Sequence, residues 1–115
     1  MTITEFWEEE FRDKNEGRDF SGRLVRKNEY AKKTEYGWTF DHILPLAMNG
    51  PNSCDNVQIA HYLTNEEKAD KNTFSTNGKL FQVKKINNLF DNDKMANYPY
   101  KRCHKEYCIV VLEEA

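Results

Sequence analysis

Apolar and polar positions change their spacing several times along the chain, and each change marks an element. From Thr4 to Lys14, Phe6, Trp7 and Phe11 form one apolar side among acids, the pattern of a short amphipathic helix. Thr4 is its expected N-cap and Asn15-Glu16-Gly17 its stop. From Asp19 to Tyr30 the alternation is loose, with Phe20, Leu24 and Val25 apolar and Ser21-Gly22 a turn signal. This segment reads as a short hairpin or extended stretch with Arg23, Arg26 and Lys27 pointing outward. Tyr30 to Tyr36 is polar loop, and Gly37 precedes a strand from Trp38 to Ile43. Pro45 to Asp55 is rich in Pro, Gly, Asn and Ser, a long loop of the kind that is often functional. Asn56 to Ala60 alternates again and predicts a second strand, antiparallel to the first. Thr64 with Glu67 three residues later has the form of a capping box, so a helix is expected from Asn65 to Lys71. Phe74–Thr76 and Lys79–Ile86 flank Asn77-Gly78, a strong hairpin signal. Asn87 to Pro99 reads as polar loop and Tyr107 to Leu112 as a closing strand. The expected class is α+β, in a single domain over 1–115.

Composition changes this picture little. The chain has 115 residues, 38% hydrophobic and 31% charged, with seven Phe, six Tyr and two Trp to fill a core. The first ten residues lack the basic and apolar regions of a secretory signal, and no apolar run approaches membrane-spanning length. The expectation is a soluble cytoplasmic protein without a membrane partner. Three cysteines, Cys54, Cys103 and Cys108, are too few and too widely spaced for a Cys-x-x-Cys zinc site, so no structural zinc is expected. Cys103-His104 with Cys108 fits no zinc spacing. Asp91-Asn-Asp93 lacks the Gly and Glu of a calcium loop.

Net charge is −2, which excludes binding nucleic acid by bulk electrostatics alone. Its distribution is more informative. Residues 21–40 hold five basic and two acidic side chains, and residues 71–90 hold four basic and none acidic. Basic flanks around a more acidic centre suit a phosphate-bearing substrate.

The candidate chemistry sits at the end of the strand from Trp38. Asp41 and His42 emerge into the long loop, and Asn56 and Asn65 follow. Hydrolysis of a phosphodiester needs a deprotonated water, neutralisation of charge on phosphorus and help for the leaving alkoxide. A neutral imidazole takes a proton near pH 7. A carboxylate with an amide carbonyl is an oxygen-donor pair suited to Mg²⁺, with Mn²⁺ as an alternative. Asp41 and Asn65 match that pair. Side chains alternate along a strand, so Asp41 and His42 should point differently, one to the metal and one to the water. His61 is an alternative ligand, and a partly buried structural role suits it better.

The runs Tyr36-Gly-Trp-Thr-Phe-Asp41-His42-Ile-Leu-Pro45, Asp55-Asn56-Val-Gln and Thr64-Asn65-Glu-Glu-Lys68-Ala-Asp-Lys71 resemble the HNH endonuclease family. The resemblance covers about residues 36–71, with Asn at the last motif position as in the HNH domains of CRISPR effectors. It implies a ββα-metal core, with the N-terminal helix and the C-terminal hairpin and strand as additions. It implies catalysis by His42 as general base, with Asn56 bracing the loop that carries it. It implies one divalent metal on Asp41 and Asn65, and Lys68 near phosphate; Lys71, Arg23 and Arg26 are further phosphate-binding candidates. The implied partner is nucleic acid, double-stranded DNA first, and the implied setting a phage, mobile element or defence system. Two departures stand out. The zinc-binding cysteine pairs are missing, and Asn49-Gly50 stands where Gly-Gly is usual. The alternative is an inactive HNH scaffold used as an inhibitor or DNA-binding accessory.

Overall fold

The computed structural model describes residues 2–96 and 106–114, and the fold is α+β. In chain order it comprises α1 (Ile3–Phe11), β1 (Glu16–Arg18), β2 (Leu24–Arg26), β3 (Trp38–His42), β4 (Val57–His61), α2 (Tyr62–Lys68), β5 (Thr73–Thr76), β6 (Lys79–Lys85), β7 (Lys94–Met95) and β8 (Tyr107–Glu114). Cys103, His104 and the end of the expected 87–99 loop lie outside the described residues. Among the described residues, β1 pairs with β2, β3 pairs with β4, and β5-β6-β8-β7 form a third sheet, all antiparallel.

The β3–β4 hairpin lies between two hydrophobic clusters. Its register sets Trp38 opposite His61, Phe40 opposite Ile59 and His42 opposite Val57 on one face. Thr39 opposite Ala60 and Asp41 opposite Gln58 share the other face. The first face packs on α1: Phe6, Trp7, Phe11, Val25, Trp38 and Ile59 form one cluster, with Phe40 and Val57 against it. Trp7 and Trp38 are fully buried, and each indole N–H finds a carbonyl at 2.8 Å, on Lys14 and Arg26. That satisfies the only polar atom each ring takes inside. The second face packs on the C-terminal sheet, where Ile43 and Ala60 join Phe20, Phe74, Phe81, Val83, Ala96 and Ile109.

Both helices start earlier than the local signals predict. Thr2, rather than Thr4, caps α1, its hydroxyl accepting from the Glu5 N–H at 3.1 Å. α2 begins at Tyr62, and its cap is His61, whose Nδ1 accepts from the Leu63 N–H at 3.1 Å. Asn65 is therefore the fourth residue of α2, and Thr64 lies inside the helix. Thr64 is fully buried, its hydroxyl 3.1 Å from that of Ser21 and accepting from Arg23 at 3.0 Å. Those partners lie some forty residues earlier, out of reach of any local pattern.

The 44–56 loop is shaped by backbone constraints. Asn49 takes the left-handed conformation (φ 64°) that Asn tolerates and closes a 3₁₀ turn. A Cβ on the following Gly50 would lie 1.9 Å from the Leu44 carbonyl oxygen, so the loop closes only with glycine there. At the β5–β6 turn, Asn77 and Gly78 both have positive φ, 49° and 76°, as a tight hairpin of this length requires.

Candidate functional site

Asp41 and His42 are neighbours in sequence that β3 sends to opposite faces. Asp41 faces inward beneath α2 and is only 3% exposed. Its Oδ1 is 3.2 Å from the Lys68 ammonium, and its Oδ2 accepts from Gln58 Nε2 at 2.9 Å. Lys68 is completely buried and also donates to the His42 carbonyl at 2.7 Å. Burial pushes the Asp41 carboxyl up from its ordinary range, against the pull of Lys68 and Gln58. Burial likewise pushes the Lys68 ammonium down, against the attraction of Asp41. Desolvation outweighs mutual attraction on both sides, the usual balance for a sealed ion pair.

His42 faces the other way and is half-buried. Its Nε2 lies 3.1 Å from Asn52 Oδ1 across the loop. With that oxygen accepting, the ring proton sits on Nε2 and Nδ1 keeps its lone pair. A cavity of about 310 Å³, lined by Phe6, Phe40, Asn52, Ser53 and Val57 among others, opens beside this contact. The loop that supplies Asn52 is tied down by Asn56. That side chain, 1% exposed, accepts from the Leu44 N–H at 2.9 Å and donates to the carbonyls of Leu44 and Pro51, both at 2.9 Å. The Ile43 N–H also donates to the Asn56 carbonyl at 2.7 Å. Asn56 thus fixes both ends of the turn that follows His42.

The remaining candidates differ in what they meet. Asn65 is half-buried on α2, and its amide makes no hydrogen bond among the described residues. Lys68 does not face a phosphate, because its ammonium is sealed inside on Asp41. Arg23 does not point outward either: it is drawn in to the Thr64 and Thr76 hydroxyls at 3.0 and 2.8 Å and pairs with Glu67 at 2.9 Å. Arg26 is exposed but pairs with Glu16 at 3.0 Å and stacks over the Tyr36 ring. Lys71 is exposed and forms no ion pair among the described residues. It alone of the four is free to meet a phosphate. His61 is structural: Nδ1 caps α2, which leaves Nε2–H to donate to the Glu35 carbonyl at 2.7 Å.

Two residues of this region are not among the candidate site residues read from the sequence. Gln58 follows from register alone, since it lies directly across from Asp41. Asn52 is one of several polar loop residues, and nothing local singles it out. The donor chemistry of Asp41 and Asn65 suits a hard divalent cation, but the arrangement does not fit one. Both Asp41 oxygens already accept side-chain donors, one of them a buried cation. Gln58 turns its nitrogen, not its oxygen, toward the carboxylate, and that oxygen has no partner among the described residues. No three His, Cys, Asp or Glu side chains converge among those residues.

No family model matches the chain, and no curated protein or solved structure matches it.

Proposed function

We propose that the chain is a phosphodiesterase of the HNH endonuclease type that cuts DNA, with His42 as the general base. What supports this is the placement of one imidazole. His42 ends β3 with Nε2 3.1 Å from Oδ1 of Asn52, a residue that lines the cavity; with that oxygen accepting, Nδ1 keeps the lone pair that can take a proton. An antiparallel pair running directly into a helix is the order that a ββα-metal core has. Asn56 holds the turn behind His42, as the resemblance implies for the middle motif position.

In this reading, DNA lies across the mouth of the 44–56 loop. A water between His42 and the phosphate loses its proton to Nδ1 as it attacks phosphorus, the P–O bond to the leaving alkoxide breaks, and that oxygen takes a proton from solvent; the Asn52 contact keeps the ring in the accepting tautomer. Asn56 fixes the loop and so fixes the angle of the ring. Lys71 supplies an exposed positive charge on the α2 side. Asp41 takes no part as a ligand while Lys68 occupies it. A second reading, a non-catalytic binding module on the same scaffold, is favoured by that same buried pair.

The test is nicking of supercoiled plasmid by the purified chain, with Mg²⁺, with Mn²⁺ and with chelator, beside His42→Ala. The parent should nick. The variant should be slower by about 10²-fold or more, the usual worth of a positioned general base. Equal rates would remove His42 as base. A parent inert under all three conditions would favour the binding module.

A further inference from the structure

We infer that Lys68 is the resident cation of the Asp41 site: its ammonium holds the position on the carboxylate that a divalent metal would need. It also clamps the strand end that carries His42. The contacts are direct. Nζ lies 3.2 Å from Asp41 Oδ1 and donates to the His42 carbonyl at 2.7 Å, while Gln58 Nε2 takes Asp41 Oδ2 at 2.9 Å. The ammonium also lies 5.7 Å from the centre of the Phe74 ring, above the C-terminal sheet.

A lysine in the last turn of a seven-residue helix normally sends its flexible stem to water. This one has a relative side-chain exposure of 0%. Burying a charge so completely is tolerated only because its partners are built around it: a carboxylate, and a carbonyl from the adjacent residue of the same strand. An ammonium and a divalent ion on one carboxylate, in a site sealed from water, repel each other strongly. The two cations therefore compete. Because Lys68 also grips the His42 carbonyl, its occupancy of the site and the position of the motif histidine are linked. Lys68 acts as a positioning residue, neither touching substrate nor binding phosphate. The inference concerns which cation Asp41 holds and does not depend on the chain cutting DNA.

The test is calorimetric titration of the full chain with Mn²⁺. Three proteins are compared: the parent, Lys68→Met, which keeps the stem and removes the charge, and the double variant Asp41→Asn/Lys68→Met. Lys68→Met should bind Mn²⁺ at least about tenfold more tightly than the parent, because the repelling charge is gone. The double variant should lose that gain. A lysine serving only to stabilise the fold would give the opposite, since a loosened site binds metal less well. A folded Lys68→Met with no gain overturns the inference. If Lys68→Met does not fold, Mn²⁺ binding to the parent is compared with binding to Asp41→Asn. Affinity that falls on loss of Asp41 overturns the inference, and equal affinity supports it. Failure of the nuclease reading registers separately, as absence of nicking by the parent.

Discussion

The two faces of the β3–β4 hairpin solve the same problem in opposite ways. On the α2 face, polar atoms are closed off from water and must be paired within the protein. Asp41, Gln58 and Lys68 do this with charge against charge and amide against carboxylate. On the α1 face, the strand end opens to a loop, and His42 meets a single amide beside a cavity. The first arrangement is held by the cost of breaking it. The second is held by a brace, Asn56, set behind the exposed side chain rather than on it.

The sharpest way to break the contrast is to remove one member of the sealed pair. Asp41→Ala leaves the Lys68 ammonium buried with only the His42 carbonyl. It should cost about 3–5 kcal/mol of unfolding free energy, the range for a buried ion pair robbed of one partner. Denaturant unfolding of parent and variant measures it. A loss below about 1 kcal/mol would place the pair with exposed ones.

Sequence pattern anticipates this hairpin well and its sealed face poorly, for physical reasons. The apolar–polar alternation read over Trp38–Ile43 and Asn56–Ala60 locates both strands, which run Trp38–His42 and Val57–His61, because successive side chains of a strand take opposite faces. Asn77-Gly78 locates the β5–β6 turn, because few residue pairs accept positive φ twice in succession. The positions of Asp41 and His42 on opposite faces follow from the same alternation. Lys68 is different. A lysine on a short helix reads as surface, and it is Asp41, 27 residues earlier, with the His42 carbonyl beside it, that makes its burial tolerable. Thr64 reads as a cap and Arg23 as outward-pointing, until Ser21, Thr76 and Glu67 converge on them from three segments. Contacts between segments overrule local preference at each of these points. The spacing of Asp41, His42, Asn56 and Asn65 is plain in the sequence; which polar groups are committed to one another is not.

A smaller effect separates brace from contact on the open face. Asn56→Ala strips the Leu44 N–H and the Leu44 and Pro51 carbonyls of their partner and should cost about 2–3 kcal/mol. Asn52→Ala removes one exposed contact and should change stability by no more than about 0.5 kcal/mol. Thermal and denaturant unfolding of the two variants give the comparison. Equal losses would mean that the loop is held at its tip rather than at its base.

The smallest effect lies at the rim, where the sealed face meets solvent. Glu67 is half-exposed on α2 and joins Arg23 and Thr76 there. Partial burial would raise its carboxyl, but the Thr76 hydroxyl and the Arg23 guanidinium prevail and hold it below the usual carboxylate range. A carboxyl lowered in the folded state contributes stability above its unfolded value, about pH 4.3, and that contribution fades as pH falls through the lower folded value. Glu67→Gln keeps an acceptor for Thr76 and Arg23 but removes the charge. Its unfolding free energy should fall short of the parent's at pH 6. The gap should narrow as acid is added and close below the folded value, where the parent carboxyl is itself protonated. The sealed Asp41 offers the opposite sign, since burial raises its carboxyl and its protonation favours the folded state. Acid should therefore narrow the Glu67→Gln gap in a pH range where it does not weaken the sealed face through Asp41. A gap that stays constant with pH would mean that Arg23 is held by the two threonines and not by the charge of Glu67.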